Sequence, residues 1–338
     1  MPSYWPYKPL SEFRSRLPAN STSAFPHHYH AFGARIASAI PLPQLPTANH
    51  ARQAVHSIDL LWDGSQTESS SSDFKLAGYA HSEPHSELRW TLPGVVELTL
   101  KRQSTNAVSC HSRGDPKLVA HFLLRSGIRP ALSMLGVGYL HASAVAWQGR
   151  AIAIAGPSTS GKSVTAAALL DCGAALLSDH GAAYALAEYE PICIEPGTLA
   201  HQLHADSMQP VTGTPKAAHA LPGRSRFRID AVRCGSEAVP LGAVIVPTYA
   251  PQTRSSQFVR LRGADCLRAM LSTGAGQSGA QDSAMLFRQL PQIPTYALER
   301  PMLPVGTNLR SSLRPCVAEW LALLNQPSAL DSSRPAHG

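Results

Sequence analysis

The stretch Gly156–Ser163, GPSTSGKS, constrains this chain more than any other. It fits G-x-x-x-x-G-K-[ST], a loop whose backbone N–H groups cradle phosphates. Its flanks fit the same geometry. Arg150–Ala155, RAIAIA, alternates Ile152 and Ile154 with alanine and reads as a buried parallel strand. Val164–Cys172, VTAAALLDC, is rich in Ala and Leu and closes on Gly173, so a helix with a glycine stop is expected. A chance Gly/Ser-rich turn would lack both flanks. In the order strand, loop, helix, the loop amides and the positive helix end meet the phosphates. The candidate nucleotide-binding residues are therefore Gly156, Pro157, Ser158, Thr159, Ser160, Gly161, Lys162 and Ser163. Lys162 would reach the β/γ oxygens and Ser163 would ligate Mg²⁺, so ATP and Mg²⁺ are the implied cofactors.

The chain of 338 residues is 44% hydrophobic and only 15% charged, which gives a sizeable core and argues against a disordered protein. No apolar run approaches the ~18–20 residues of a membrane span. The opening MPSYWPYKPLSEF lacks the basic-then-apolar layout of a signal peptide. A cytoplasmic protein with no membrane partner is the expectation. The net charge of +7 suits an anionic partner, but the basic residues are mostly single arginines without a Lys/Arg block or interleaved aromatics. That argues against nucleic acid, and an enzyme for ATP and an acidic or flexible peptide explains the sign as well. Cys110, Cys172, Cys193, Cys234, Cys266 and Cys316 lie far apart with no C-x-x-C pair, so they read as small core residues. The run His27–His30, HHYH, has metal-ligating chemistry, but its Pro/Ser-rich surroundings favour a solvated stretch.

The fold class expected is α/β, with a small β-rich N-terminal domain before the loop-bearing core. Residues 1–26 hold several prolines and little periodicity and read as a loosely ordered extension. Residues 27–115 carry short strand-like pieces. In one, Phe32, Ala34, Ile36 and Ser38 share a face up to Pro41; the others are Ser57–Trp62 and Val95–Arg102, with the polar Glu68–Ser72 between them. Residues 116–325 form the nucleotide-binding domain. In it, Asp115–Leu135 has a helical face interrupted near Pro130, and Tyr139–Trp147 reads as one strand beside the loop strand. Ala174–Ser178 is an apolar strand after the loop helix, and the β/α alternation calls for at least one right-handed crossover. Further on, Leu241–Val246, Phe258–Leu261 and Thr295–Leu298 read as strands, and Ala264–Leu271 and Arg310–Leu324 as helices. Residues 208–225 and 272–283 read as flexible loops, and 326–338 as a disordered tail.

A phosphate loop implies nucleotide binding, and phosphoryl transfer needs a carboxylate at a neighbouring strand end as well. Asp179 follows the apolar strand after the loop helix, where a crossover brings it beside the loop. A turn or capping aspartate is the competing role at a strand end. His141, near the start of its strand, is a third candidate that could face the nucleotide.

The stretch LHASAVAWQGRAIAIAGPSTSGKSVTAAALLDCGAALLSDH resembles the catalytic core of the HPr kinase/phosphorylase family, whose core is related to phosphoenolpyruvate carboxykinase. FGARIASAIPLPQLP, RFRID, PLGAVIV, FVRLRGADCLRAML and IPTYALERP are similar to the branch encoded beside lasso- and other ribosomal-peptide clusters. The resemblance implies that His141 is the core histidine near the phosphates. It makes Asp179 the first of a pair of aspartates that handle the acceptor and metal, so that Ser163 and Asp179 would hold Mg²⁺. Lys162 takes its place in the nucleotide loop. Arg226 or Arg228 would match a basic residue near the transferred phosphate. The family's second aspartate is His180 here, and a neutral imidazole does not replace a carboxylate's charge beside Mg²⁺.

Together these readings give an ATP-dependent serine kinase acting on a protein or ribosomal precursor peptide, with Asp179, His141 and Lys162 as catalytic candidates. The alternative, favoured by His180, is a nucleotide-binding switch or scaffold without kinase activity. Relatives commonly assemble as hexamers, which leaves a homo-oligomer open.

Overall fold

In the computed structural model, the residues described are 25–48, 54–64, 87–92, 95–157, 159–185, 191–198, 201–204, 216–217, 226–229, 235, 237–271, 288–289, 292–302 and 307–325. The chain is mixed α/β, built on two large sheets. The expectations for Glu68–Ser72, for residues 272–283, for residues 1–24 of the N-terminal extension and for the tail 326–338 lie outside the described residues, as does most of 208–225.

The first sheet is formed by β1 (His27–Ala31), β2 (Ala34–Ser38), β3 (His56–Trp62), β4 (Glu87–Leu92), β5 (Val96–Ser104) and β6 (Ala107–Gly114). Its order is β1-β2-β3-β6-β5-β4, with β2, β3 and β6 mutually parallel. The sequence reading of one strand through Phe32 is corrected to a hairpin. Phe32 and Gly33 both take positive φ, at 58° and 74°, and reverse the chain there. Ala34, Ile36 and Ser38 do share one buried face. The histidine run is also corrected: it is strand β1, paired along its length with β2, and His30 is buried.

Asp115 caps the next helix by accepting from the Lys117 and Leu118 amides, with Pro116 in its first turn. That helix, α1 (Pro116–Phe122), runs through a π turn at Leu123–Gly127 into α2 (Ile128–Met134). The interruption expected near Pro130 takes the form of this wider turn just before it, which accommodates a proline with no N–H and a ring that crowds the previous turn. Leu123, Ile128 and Leu132 pack into one core with Ile58, Leu98 and Leu100 of the first sheet.

The second sheet contains β7 (Gly138–Leu140), β8 (Ala142–Trp147), β9 (Arg150–Ala155), β10 (Ala175–Ser178), β11 (Ala182–Ala185), β12 (Cys193–Ile194), β16 (Val239–Tyr249), β17 (Gln257–Leu261) and β18 (Thr295–Arg300). A small third sheet holds β13 (His201–His204), β14 (Lys216–Ala217) and β15 (Arg226–Ile229). The single strand expected over Tyr139–Trp147 is broken at His141. The β7 part pairs with β11, and the β8 part pairs with β9 and β10. Strand β9 is parallel to β16, and β16 to β18. Strand β10 is antiparallel to β8, which is antiparallel to β9, so β10 runs in the direction of β9 one strand away.

Helix α3 (Lys162–Asp171) makes that crossover, and α4 (Gly263–Leu271) and α5 (Leu309–Leu324) follow later. The alternation in RAIAIA places each face of β9 in a different core. Ile152 and Ile154 pack with Leu169, Val317 and Trp320 under the helices. Ala151, Ala153 and Ala155 face Tyr184, Ile192 and Ile194. Isoleucine fills the layer under a helix, and alanine lets the β11–β12 strands approach closely.

Candidate functional site

The loop leaves β9 at Gly156 and enters α3 at Gly161. Gly156, Thr159 and Gly161 all have positive φ, at 144°, 69° and 92°. Positive φ at closely spaced loop residues is the backbone that can turn N–H groups inward toward an anion, and the helix terminus adds its positive end. The lysine closes the cradle: Lys162 Nζ donates to the carbonyls of Gly156 and Pro157, each at 2.9 Å. Ser160 N–H donates to Pro157 O at 3.3 Å. Ser163 is the second helical residue and partly buried. Ser158 lies outside the described residues.

Asp179 stands where β10 ends, 1% exposed. Its Oδ1 accepts from Ser143 Oγ at 2.6 Å and from the His180 N–H at 3.0 Å. On the other side, Oδ2 faces His201 Nδ1 at 3.1 Å and His180 Nε2 at 3.9 Å. Backbone bonds fix the position, since Asp179 N–H donates to Thr198 O and the Thr198 hydroxyl donates back to Asp179 O. Burial alone would raise the Asp179 pKa. The imidazoles of His180 and His201, with hydrogen bonds from His201 and Ser143, hold it instead well below the carboxylate range. Asp179 is therefore a fixed negative charge and a weak proton acceptor.

His180, in the position of the resemblance's second aspartate, takes φ +66°. A non-glycine residue is rarely held there, and such strain concentrates at functional sites. Its carbonyl accepts from Tyr139 Oη at 3.1 Å, which ties the strand end to β7. His141 sits at the break between β7 and β8. Burial, then Lys162, Arg129, His180 and Arg125, lower its pKa to about 4, so its imidazole is neutral near pH 7. Lys162 is itself pulled down by burial and held up by Asp179. His141, Lys162, Asp179 and His180 thus form one electrostatic neighbourhood, and Arg125 and Arg129 reach it from the π turn and α2.

Three residues at the site went unnoticed in the sequence. Ser143 and His201 fix the Asp179 carboxylate. Arg300, the last residue of β18, is 8% exposed and donates from Nη2 to Ser160 O at 2.6 Å. The sequence signal available for Arg300 was its place at the carboxyl end of a parallel strand, where open α/β sheets gather ligands. Arg226 and Arg228 lie in β15, opposite His204 and Gln202 of β13.

The loop fits a triphosphate in its residues and backbone. Among the described residues no group of three His, Cys, Asp or Glu is placed to hold a metal ion. A Mg²⁺ bound through phosphates and waters needs only one or two protein oxygens, and the Ser163 hydroxyl suits that chemistry. Asp179, with both oxygens engaged, suits contact through a water rather than direct ligation.

No protein-family model matches the chain. No curated protein sequence matches it either. Among solved structures the chain is similar to the Hpr(Ser) kinase/phosphatase from Coxiella burnetii, over 55% of this chain and 92% of that one, at 14% identity and a TM-score of 0.29. At that score the likeness adds nothing to the geometry, and the functional reading rests on the loop and its neighbours. Among the described residues no helix is long and apolar enough to cross a membrane.

Proposed function

We propose that this chain binds ATP at Gly156–Ser163 and transfers its γ-phosphoryl group to a serine of a protein or ribosomal precursor peptide. The observation that carries the reading is the loop of positive-φ residues closed by Lys162, with Asp179 and His141 in the same electrostatic neighbourhood. Phosphoryl transfer asks for positioning and charge neutralisation more than covalent chemistry. The loop amides and Lys162 hold the triphosphate. The neutral His141 imidazole hydrogen-bonds a phosphoryl oxygen without adding fixed charge. Asp179, ionised and held rigid, orients the acceptor side. Ser163, with Asp179 through water, would hold Mg²⁺, which would neutralise charge on the triphosphate. The peptide acceptor and any homo-oligomer come from the sequence resemblance, and a cytoplasmic setting from the expectation of no membrane span and no signal peptide, not from a surface of the molecule.

One observation favours a second reading, a nucleotide-binding switch without transfer. Asp179 is sealed by Ser143 and His201, and His180 supplies no second carboxylate. Loss of a general base costs roughly 10²–10⁴ in rate. Purified chain with γ-labelled ATP, Mg²⁺ or Mn²⁺ and candidate peptides separates the two. Label on a peptide serine, lost in Lys162→Ala with ATP binding and slowed in Asp179→Asn with ATP binding retained, supports the kinase. ATP binding with no transfer under any metal supports the switch, and no ATP binding removes both.

A further inference from the structure

Arg300 lies far along the chain from the loop and matches no part of the nucleotide motif, yet its guanidinium is built into the loop's wall. Its side chain reaches Ser160 O at 2.6 Å, and a Cβ on Gly161 would lie 2.4 Å from Arg300 Nη1. Glycine at 161 is favoured by its φ of +92°, and an added Cβ would also displace the guanidinium packed against it. The residue is 8% exposed, its Nε is buried without a hydrogen-bond partner, and among the described residues no carboxylate pairs with it. A buried, unneutralised guanidinium is costly and needs a reason to stay. Its backbone is held by the sheet: Arg300 pairs in register with Tyr249 of β16, and its carbonyl accepts from Ala250 N–H.

The peptide group is planar and trans, so the Ser160 carbonyl and the Gly161 N–H point in opposite directions. Holding the carbonyl toward Arg300 turns the Gly161 N–H away from it. We propose that Arg300 is a positioning residue: it clamps the Ser160–Gly161 peptide so that the Gly161 amide faces the polyphosphate, and its charge is balanced when that anion binds. This rests on the reading of the loop as a triphosphate site. The clamp joins β18 to the loop, so the third parallel strand sets the geometry of a cradle formed after the first.

The test uses the full chain. ATP and inorganic triphosphate are titrated by calorimetry against wild type, Arg300→Met and Arg300→Lys, with amide hydrogen exchange followed across β9, the loop and α3. A charge-assisted hydrogen bond of this kind carries about tenfold or more in affinity. Arg300→Met should lose about tenfold or more toward both ligands. Arg300→Lys, which keeps the charge without the planar fork, should lose less. Exchange should rise at Gly161 and Lys162 while β9 stays protected, a local signature that general destabilisation does not give. Should Arg300→Met fail to fold, Arg300→Lys carries the same expectation at about threefold. Wild-type binding with unchanged affinity in the folded variants overturns the clamp and leaves the loop's function standing. Failure of wild type to bind either ligand overturns both.

Discussion

The ion pair between Arg310 and Asp171 offers a sharp test of how the loop helix is anchored. Asp171 is the last residue of α3 and Arg310 the second of α5. The guanidinium forks onto the carboxylate, Nε to Oδ2 at 2.7 Å and Nη2 to Oδ1 at 2.5 Å, and both side chains are 9% exposed. Each charge sits at the wrong end of its own helix dipole, a cost of about 0.3–1 kcal/mol apiece that the partner offsets. Removing one partner leaves a buried, uncompensated charge, which costs about 3–5 kcal/mol. Removing both removes the orphaned charge and both dipole conflicts. Asp171→Asn and Arg310→Met should therefore each destabilise by about 3 kcal/mol or more, and the double variant by much less than their sum, with a coupling of about 2–3 kcal/mol. Equilibrium urea unfolding of the four proteins measures this directly. Single variants within about 0.5 kcal/mol of wild type, or effects that simply add, would refute the reasoning.

Other outcomes follow from the same geometry. His141 titrates at about 4 in the folded chain against an ordinary 6.5, so its contribution to stability is full above pH 6.5 and is lost as pH falls toward 4. The depressed Asp179 contributes above its ordinary 3.8 and loses that below it. Urea melts between pH 4 and 7 should show the first slope, and His141→Gln should flatten it; an unchanged slope would remove His141 as its source. Gly181→Ala would put a Cβ 1.5 Å from Tyr139 Oη, so the Tyr139–His180 bond must break; a crystal structure with Tyr139 unmoved would contradict this. Ser143→Ala takes one of two donors from Asp179 Oδ1 and should cost about 1.5–3 kcal/mol in unfolding experiments, with a loss under 0.5 kcal/mol counting against that bond.

The local parts of the site were legible in the sequence because their signals are local. The loop, its strand and its helix follow one another, and Asp179 follows the next apolar run. The strands around the loop (β8, β9, β10, β16, β17 and β18), β3, β5 and α5 match their expected spans within a few residues for the same reason, whereas β4 and β6 carried no strand reading. The His141 break was invisible because β7 and β8 read as one apolar run; only their different partners, β11 on one side and β9 with β10 on the other, divide them. The hairpin at Phe32 was hidden because phenylalanine rarely takes positive φ, and its neighbour Gly33 was the only hint. Ser143, His201 and Arg300 meet the loop or Asp179 across the fold. Their roles depend on strand order and register, which periodicity does not encode.

The Phe32–Gly33 turn also ties the first sheet to the Asp179 site. Phe32 N–H donates to Pro196 O at 2.6 Å, and its ring packs so closely that a Cβ on Gly197 would lie 2.4 Å from Phe32 Cε1. The next residue, Thr198, holds the Asp179 backbone on both sides. The N-terminal sheet is thus part of the scaffold of the Asp179 site rather than a detachable module. A chain trimmed to begin at α1 would keep every residue of the phosphate loop and still lose the buttress that fixes Asp179. Any lineage or engineering effort that exchanged the N-terminal sheet would have to rebuild that hairpin tip to preserve the site.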